Sequence, residues 1–200
     1  MDALRMASLL CSRLCHDLVG PASAVVNGLE LMETGDGAAD KEAMDLVAMS
    51  AAQVTSRLQI FRGAFGAAAG LTFSDARMAA VAYFGHGKIA LDWPDGLLSE
   101  STPGAPKIML NLLLLGAELL GRGGRLVVGA QKAGLAVRVV GPTMRTDELA
   151  LLDAGPAAEE HITARNVQPY FLGRLAAAAG RRVRVEAASD ELRLTLIDAS

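Results

Sequence analysis

The feature that most constrains this chain is residues 9–32, where a proline sits inside an unbroken helical pattern, right after His16-Asp17-Leu18-Val19-Gly20. At about 100° of rotation per residue, Leu10, Leu14, Leu18, Ala22, Val25, Leu29 and Met32 share one stripe roughly 120° wide. Pro21 interrupts nothing in that pattern, although a proline in a helix interior costs about 3 kcal/mol. His16 lies about 180° from the middle of the stripe. Around it on the outer face are Ser12, Arg13, Gly20, Ser23 and Asn27. The imidazole is therefore expected in solvent, on a face without bulk, where a large body can dock.

The pattern predicts a helix from about Asp2 to Glu33, broken at Thr34-Gly35-Asp36-Gly37 with Gly35 as a left-handed stop. A second helix opens at Ala39 or Asp40 and runs to about Phe65. Its Val47, Ala51, Val54, Leu58, Phe61 and Phe65 repeat at alternating steps of four and three, a coiled-coil-like seam. So short a connection makes the pair antiparallel. Two helices do not sequester these stripes alone, so a homodimer forming a four-helix bundle is expected, with packing on the chain's own second half as the alternative. The pairing brings Gln53 and Arg57 near the level of His16. There Arg57 either helps hold a phosphoryl group or is a solvated charge.

Gly66 to Gly70 reads as a linker, which divides the chain into residues 1–66 and 71–200. Beyond it, Ser74 with Asp75 is expected to cap a helix ending near Phe84, and a strand follows over Lys88–Trp93. A helix from Thr102-Pro103 to Leu120 stops at Gly121, and Gly124–Gln131 with Leu135–Val140 form a hairpin. Thr146 caps a short helix to Asp153, and another helix runs from Val167 to Ala179. In the last hairpin Val183, Val185 and Ala187 alternate with polar residues, as do Leu192, Leu194 and Leu196. This half is a sheet with helices on one face, so the class is α+β.

Apolar residues make up 52% of the 200, enough for a packed core, and a net charge of −3 argues against a nucleic-acid or anionic-membrane surface. The first residues lack a signal-peptide pattern. The longest apolar run, Ile108–Leu120, is too short to span a bilayer and contains Asn111 and Glu118. A cytoplasmic protein is expected. Cys11 and Cys15 are four apart on one helix. They rotate about 100° or more from His16, which excludes a shared metal site, and they read as small packed side chains. His86 and His161 have no partner at ligand spacing.

His-Asp-Leu-x-x-Pro in a long helix resembles the H-box of two-component histidine kinases. The longer string LCSRLCHDLVGPASAVVNGLELM resembles the ChpT-type histidine phosphotransferases of alphaproteobacteria. That resemblance implies a dimeric helical hairpin followed by a degenerate, histidine-kinase-type (Bergerat-like) α/β sandwich. Lys107 to Glu118 lines up with the N-box helix of the kinase ATP-binding domain. There a second Asn holds Mg²⁺, whereas this chain has Leu115, which offers a hard cation no oxygen. The Asp-x-Gly-x-Gly expected after the central hairpin is replaced by Val139-Val140-Gly141-Pro142-Thr143-Met144. Arg165-Asn166-Val167-Gln168-Pro169 stands where a glycine-rich lid would end. With those features gone, no bound ATP is expected.

The resemblance implies a phosphorelay. His16 accepts a phosphoryl group from a receiver-domain aspartate, such as that of a hybrid histidine kinase, and passes it to a response-regulator receiver. The receiver supplies the Mg²⁺, and this chain needs no cofactor or metal of its own. The candidate catalytic residues are His16 and Asp17, whose carboxylate can hold the second imidazole nitrogen. The candidate docking residues are Ser12, Arg13, Gly20, Ser23, Asn27 and Arg57. Two competing readings are a non-catalytic docking module and an ATP-dependent histidine kinase.

Overall fold

The two long apolar patterns form helices α1 (Ala3–Thr34) and α2 (Ala39–Phe65), packed against each other along their lengths. The computed structural model describes residues 1–34, 39–67, 70–97, 104–131 and 134–199. The expected turn at residues 35–37 lies outside them, as do Thr102 and Pro103. Gly28 fixes the closest approach of the pair. A Cβ there would stand 2.6 Å from Val47 Cγ2 and 3.2 Å from the Ala43 carbonyl, so only glycine lets the backbones meet this closely.

Beyond the hairpin the order is α3 (Phe73–Phe84), β1 (Ile89–Asp92), α4 (Ala105–Leu120), β2 (Gly124–Gln131) and β3 (Gly134–Val140). Two 3₁₀ segments (Asp147–Asp153 and Pro156–His161), α5 (Val167–Ala178), β4 (Arg181–Ala187) and β5 (Glu191–Asp198) complete it. This is the expected succession of helix, strand, helix, hairpin, helix, hairpin. The five strands form one sheet in the order β1-β2-β3-β5-β4, with β1 parallel to β2 and every other pair antiparallel. Leu126, Val128, Val137, Val139, Leu192, Leu194 and Leu196 point into the core, under helices α3, α4 and α5. On the opposite face Arg138 pairs with Glu191 at 2.9 Å, and at the end of the sheet Arg181, in register with Asp198, pairs with it at 2.9 Å.

Two expected caps differ. The α3 N-cap is Thr72, not Ser74: the Thr72 hydroxyl accepts from the Asp75 N–H, and the Asp75 carboxylate accepts from the Thr72 N–H. Thr146 makes no side-chain cap bond, and the segment after it is 3₁₀ rather than α.

Helix α4 is buried on almost all sides, because it is the middle of three layers, with the sheet on one side and the hairpin on the other. Ile60, Phe61 and Ala64 of α2 belong to the same core cluster as α4 and the sheet. Phe171, Phe65, Phe61, Tyr83 and Phe84 form a run of ring contacts from α5 across α2 to α3, with centroids 4.9–6.3 Å apart. Five of the chain's eight aromatic residues thus lie at the junction of hairpin and sheet domain. The start of α1 also packs there, with Met6, Leu9 and Leu10 against Ile162, Val167 and Tyr170.

Toward the turn, the hairpin stands clear of the sheet domain. The apolar arc of α1 is wider than α2 covers: Leu14, Leu18, Val25 and Met32 are partly buried, while Leu29 and Ala22 of the expected stripe are exposed, along with Val19 and Val26. On α2 the seam residues Ala51 and Leu58 are exposed, with Met44 in line. Cys11 and Cys15 are exposed too, rather than packed, because they fall on this uncovered side of the arc. Helix α1 is long and apolar enough to cross a membrane by length and composition alone. Its apolarity is divided between the face on α2 and this exposed stripe.

Candidate functional site

Half-way along α1, His16 projects from the hairpin with 89% of its side chain exposed. Ser12, Gly20, Ser23 and Asn27 are exposed beside it, and a Cβ built on Gly20 meets nothing within 4 Å. The expected open face is present. His16 Nδ1 lies 3.2 Å from Asp17 Oδ1. With a proton on Nδ1, this contact orients the ring and leaves the Nε2 lone pair toward solvent.

Proline 21 has a local consequence that fixes the helix below the histidine. Having no N–H, it cannot bond the carbonyl four residues back, which is that of Asp17. Arg57 of α2 takes that acceptor instead, its Nη1 donating to Asp17 O at 2.6 Å. Arg57 is thus at the expected level, but it is neither a solvated charge nor a group held out beside His16. It satisfies the carbonyl that Pro21 frees and pins α1 to α2 one residue from the imidazole.

Arg13 also turns away from the outer face. Its guanidinium spans the gap between layers and pairs with Glu118 of α4. Burial pushes the Glu118 carboxyl up to about 7, with Arg13 pulling the other way and Glu148 and Asp17 adding repulsion. Together these groups floor a cleft of about 840 Å³ between α1 and the sheet domain. Ser12 and His16 stand at one wall, and Arg145, Glu148 and Arg165 at the other. The Arg145 guanidinium donates to the Glu118 carbonyl at 3.0 Å, which holds the loop after β3 against the end of α4.

Asn111, Lys107 and Leu115, which the kinase resemblance singles out, are occupied within the fold. Asn111 is fully buried. Its amide N–H donates to the carbonyls of Ala64 and Lys107, both at 2.9 Å, and its oxygen accepts from Gln168 at 2.9 Å. Lys107 donates to Gly66 O at 2.9 Å. These side chains tie the end of α2 to α4 and α5. Leu115 is 1% exposed at the base of the cleft. Past β3, a Cβ on Gly141 would stand 2.5 Å from Leu120 Cδ2, so leucine packs directly on the backbone there.

A solvated histidine held by Asp17 over a carbonyl bonded to Arg57, on a hairpin joined to an α/β layer, narrows the possible relatives. Residues 73–191 match the family described as the histidine phosphotransferase C-terminal domain. The protein phosphotransferase ChpT of Brucella abortus (strain 2308) is 38% identical over 201 residues, covering 96% of this chain and 95% of that one. The chain belongs to the histidine phosphotransferase family. A solved bacterial phosphotransferase superposes with a TM-score of 0.86 at 35% identity, covering 98% of this chain and 97% of the other. Within this family member, the sequence pattern singles out His16, Asp17 and the open face. Sequence reasoning missed the Arg13–Glu118 bridge and the anchoring role of Arg57. A proline four residues after Asp17 is a usable signal for the second; the first has no local signal.

Proposed function

We propose that this protein is a phosphorelay phosphotransferase that carries a phosphoryl group on His16 between receiver-domain aspartates, without ATP. The observation that carries the reading is the exposed His16 imidazole with Nδ1 on Asp17 and Nε2 open to a face free of bulk. Neutral imidazole is a competent nucleophile near pH 7. Its Nε2 attacks phosphorus as the acyl-phosphate P–O bond breaks. The leaving carboxylate stays on the receiver, and Asp17 holds the Nδ1 proton against the charge that develops on the ring. The reverse step delivers the group to a second receiver. Such transfer needs in-line positioning and charge neutralisation, so a rigid helix face suffices when the receiver brings Mg²⁺.

Ser12, Gly20, Ser23 and Asn27 form the docking face on α1, and Arg13 and Arg57 support it from below. Leu115 and the leucine-filled end of β3 favour a domain that does not bind ATP. Val19, Ala22, Val26 and Leu29 on α1, with Met44, Ala51 and Leu58 on α2, lie within one band at the helical repeat. A second copy covers them in a four-helix bundle, and light scattering of the purified protein is expected to give twice the chain mass. A cytoplasmic location fits these partners.

The test is transfer of label from a phosphorylated receiver domain, with and without ATP. The wild type is expected to take up label from the receiver alone. His16→Ala should lose it by at least about a thousandfold while melting at the wild-type temperature, since this side chain contributes no packing. Label from ATP alone would instead indicate a kinase. Receiver binding that survives His16→Ala, with no phosphohistidine in the wild type, would indicate a docking module.

A further inference from the structure

Arg13 has two carboxylates within reach and bonds only one. Its terminal nitrogen is on Glu118, across the layer boundary. Its Nε is 3.8 Å from Asp17 Oδ2, beyond hydrogen-bond distance, and that N–H is buried with no acceptor. An arginine and an aspartate four apart on a helix are placed to pair with each other. Here the pairing is held short, and Asp17 turns its other oxygen to His16 Nδ1 at 3.2 Å. The groups that act on Glu118 are Arg13 and Asp17 from α1 and Glu148 from the first 3₁₀ segment, with Arg145 on its backbone carbonyl. Among these, Arg13 supplies its only side-chain cation contact.

We propose that Glu118 is a positioning residue for the transfer reaction: by holding Arg13, it reserves the Asp17 carboxylate for His16 Nδ1–H and keeps Nε2 as the free nucleophile. This rests on His16 being the phosphoryl carrier, and it gives the sheet domain a chemical contribution beyond docking. Without the Glu118 charge, Arg13 closes onto Asp17 and the histidine loses its orienting partner.

The test reads the His16 tautomer by ¹⁵N NMR at about pH 8.5. It is paired with the rate of phosphorylation by phosphoramidate, a small donor that needs no receiver. In that reaction the P–N bond of the donor breaks as the Nε2–P bond forms, and the departing ammonia takes the imidazole proton as ammonium. The wild type should be mainly the Nδ1–H tautomer. E118Q should shift it toward Nε2–H and slow phosphorylation about tenfold. Glu118→Asp, which keeps a charge but shortens the reach, should shift it in the same direction by less.

R13Q alone should leave the wild-type tautomer, and E118Q/R13Q should restore it, because nothing then competes for Asp17. A residue that merely fastened two layers together would not be rescued by removing its partner. An unchanged tautomer in both Glu118 variants, or a double variant no better than E118Q, overturns the proposal. Absence of label from receivers would refute the phosphorelay reading while leaving the tautomer result standing.

Discussion

The outer face of α1 and the helix α4 make opposite use of their polar residues. On α1 the His16 side chain stands in solvent at one wall of the cleft. Its neighbours are small, and its supporting contacts come from behind and below: Asp17 on Nδ1 and Arg57 on the carbonyl that Pro21 frees. On α4 the polar positions point inward. Asn111 and Lys107 bond the carbonyls of α2, and Leu115 is sealed. The polar groups of α4 thus fasten one layer to another, while the imidazole on α1 is left open to solvent. The α4 layer then serves α1 by fixing where the hairpin stands.

That contrast breaks most readily at the junction. Phe61→Ala removes a ring that is 5% exposed among Phe65 and Tyr83 and should cost about 3–5 kcal/mol in urea unfolding. Transfer should weaken only as far as the folded fraction falls. Next, Leu115→Asn places an amide where the kinase resemblance implies a Mg²⁺ ligand. It should cost about 2–3 kcal/mol by burying an unmatched amide, without giving Mg²⁺-nucleotide binding by calorimetry. Nucleotide binding in that variant would show that α4 still faces a usable site.

The smallest effect is in pH. Burial pushes the folded Glu118 carboxyl up to about 7 from its ordinary value of 4.5, so between those values the native state holds the proton more tightly than the unfolded chain. Stability from this group is therefore full below about 4.5 and falls as pH rises through 7. Discounted for partial exposure, the loss is on the order of 2 kcal/mol. E118Q should flatten that part of the stability profile. An equal slope in E118Q would place the titration on another group.

Periodicity carries both long helices and the final hairpin, because apolar spacing reports directly on burial when an element has one inner face. It was less informative where two surfaces share an arc. Leu29, Ala22, Cys11 and Cys15 are apolar or small enough to read as packed, yet they lie on the side of α1 that α2 leaves open. The α3 cap, expected at Ser74 with Asp75, sits at Thr72 instead, because Thr72 and Asp75 make the reciprocal bond. The exposure of His16 and its contact with Asp17 were legible from the clear face and the neighbouring acid. The Arg13–Glu118 bridge joins residues 105 apart, and no local pattern encodes a contact that depends on how two layers settle.

The most direct test of the account is ³¹P NMR of the protein mixed with a phosphorylated receiver domain in the absence of ATP. The account predicts a phosphohistidine resonance of the Nε2 isomer that appears as the acyl phosphate decays and is missing in His16→Ala. A wild-type protein that shows no phosphohistidine, or a signal that persists in His16→Ala, would contradict it.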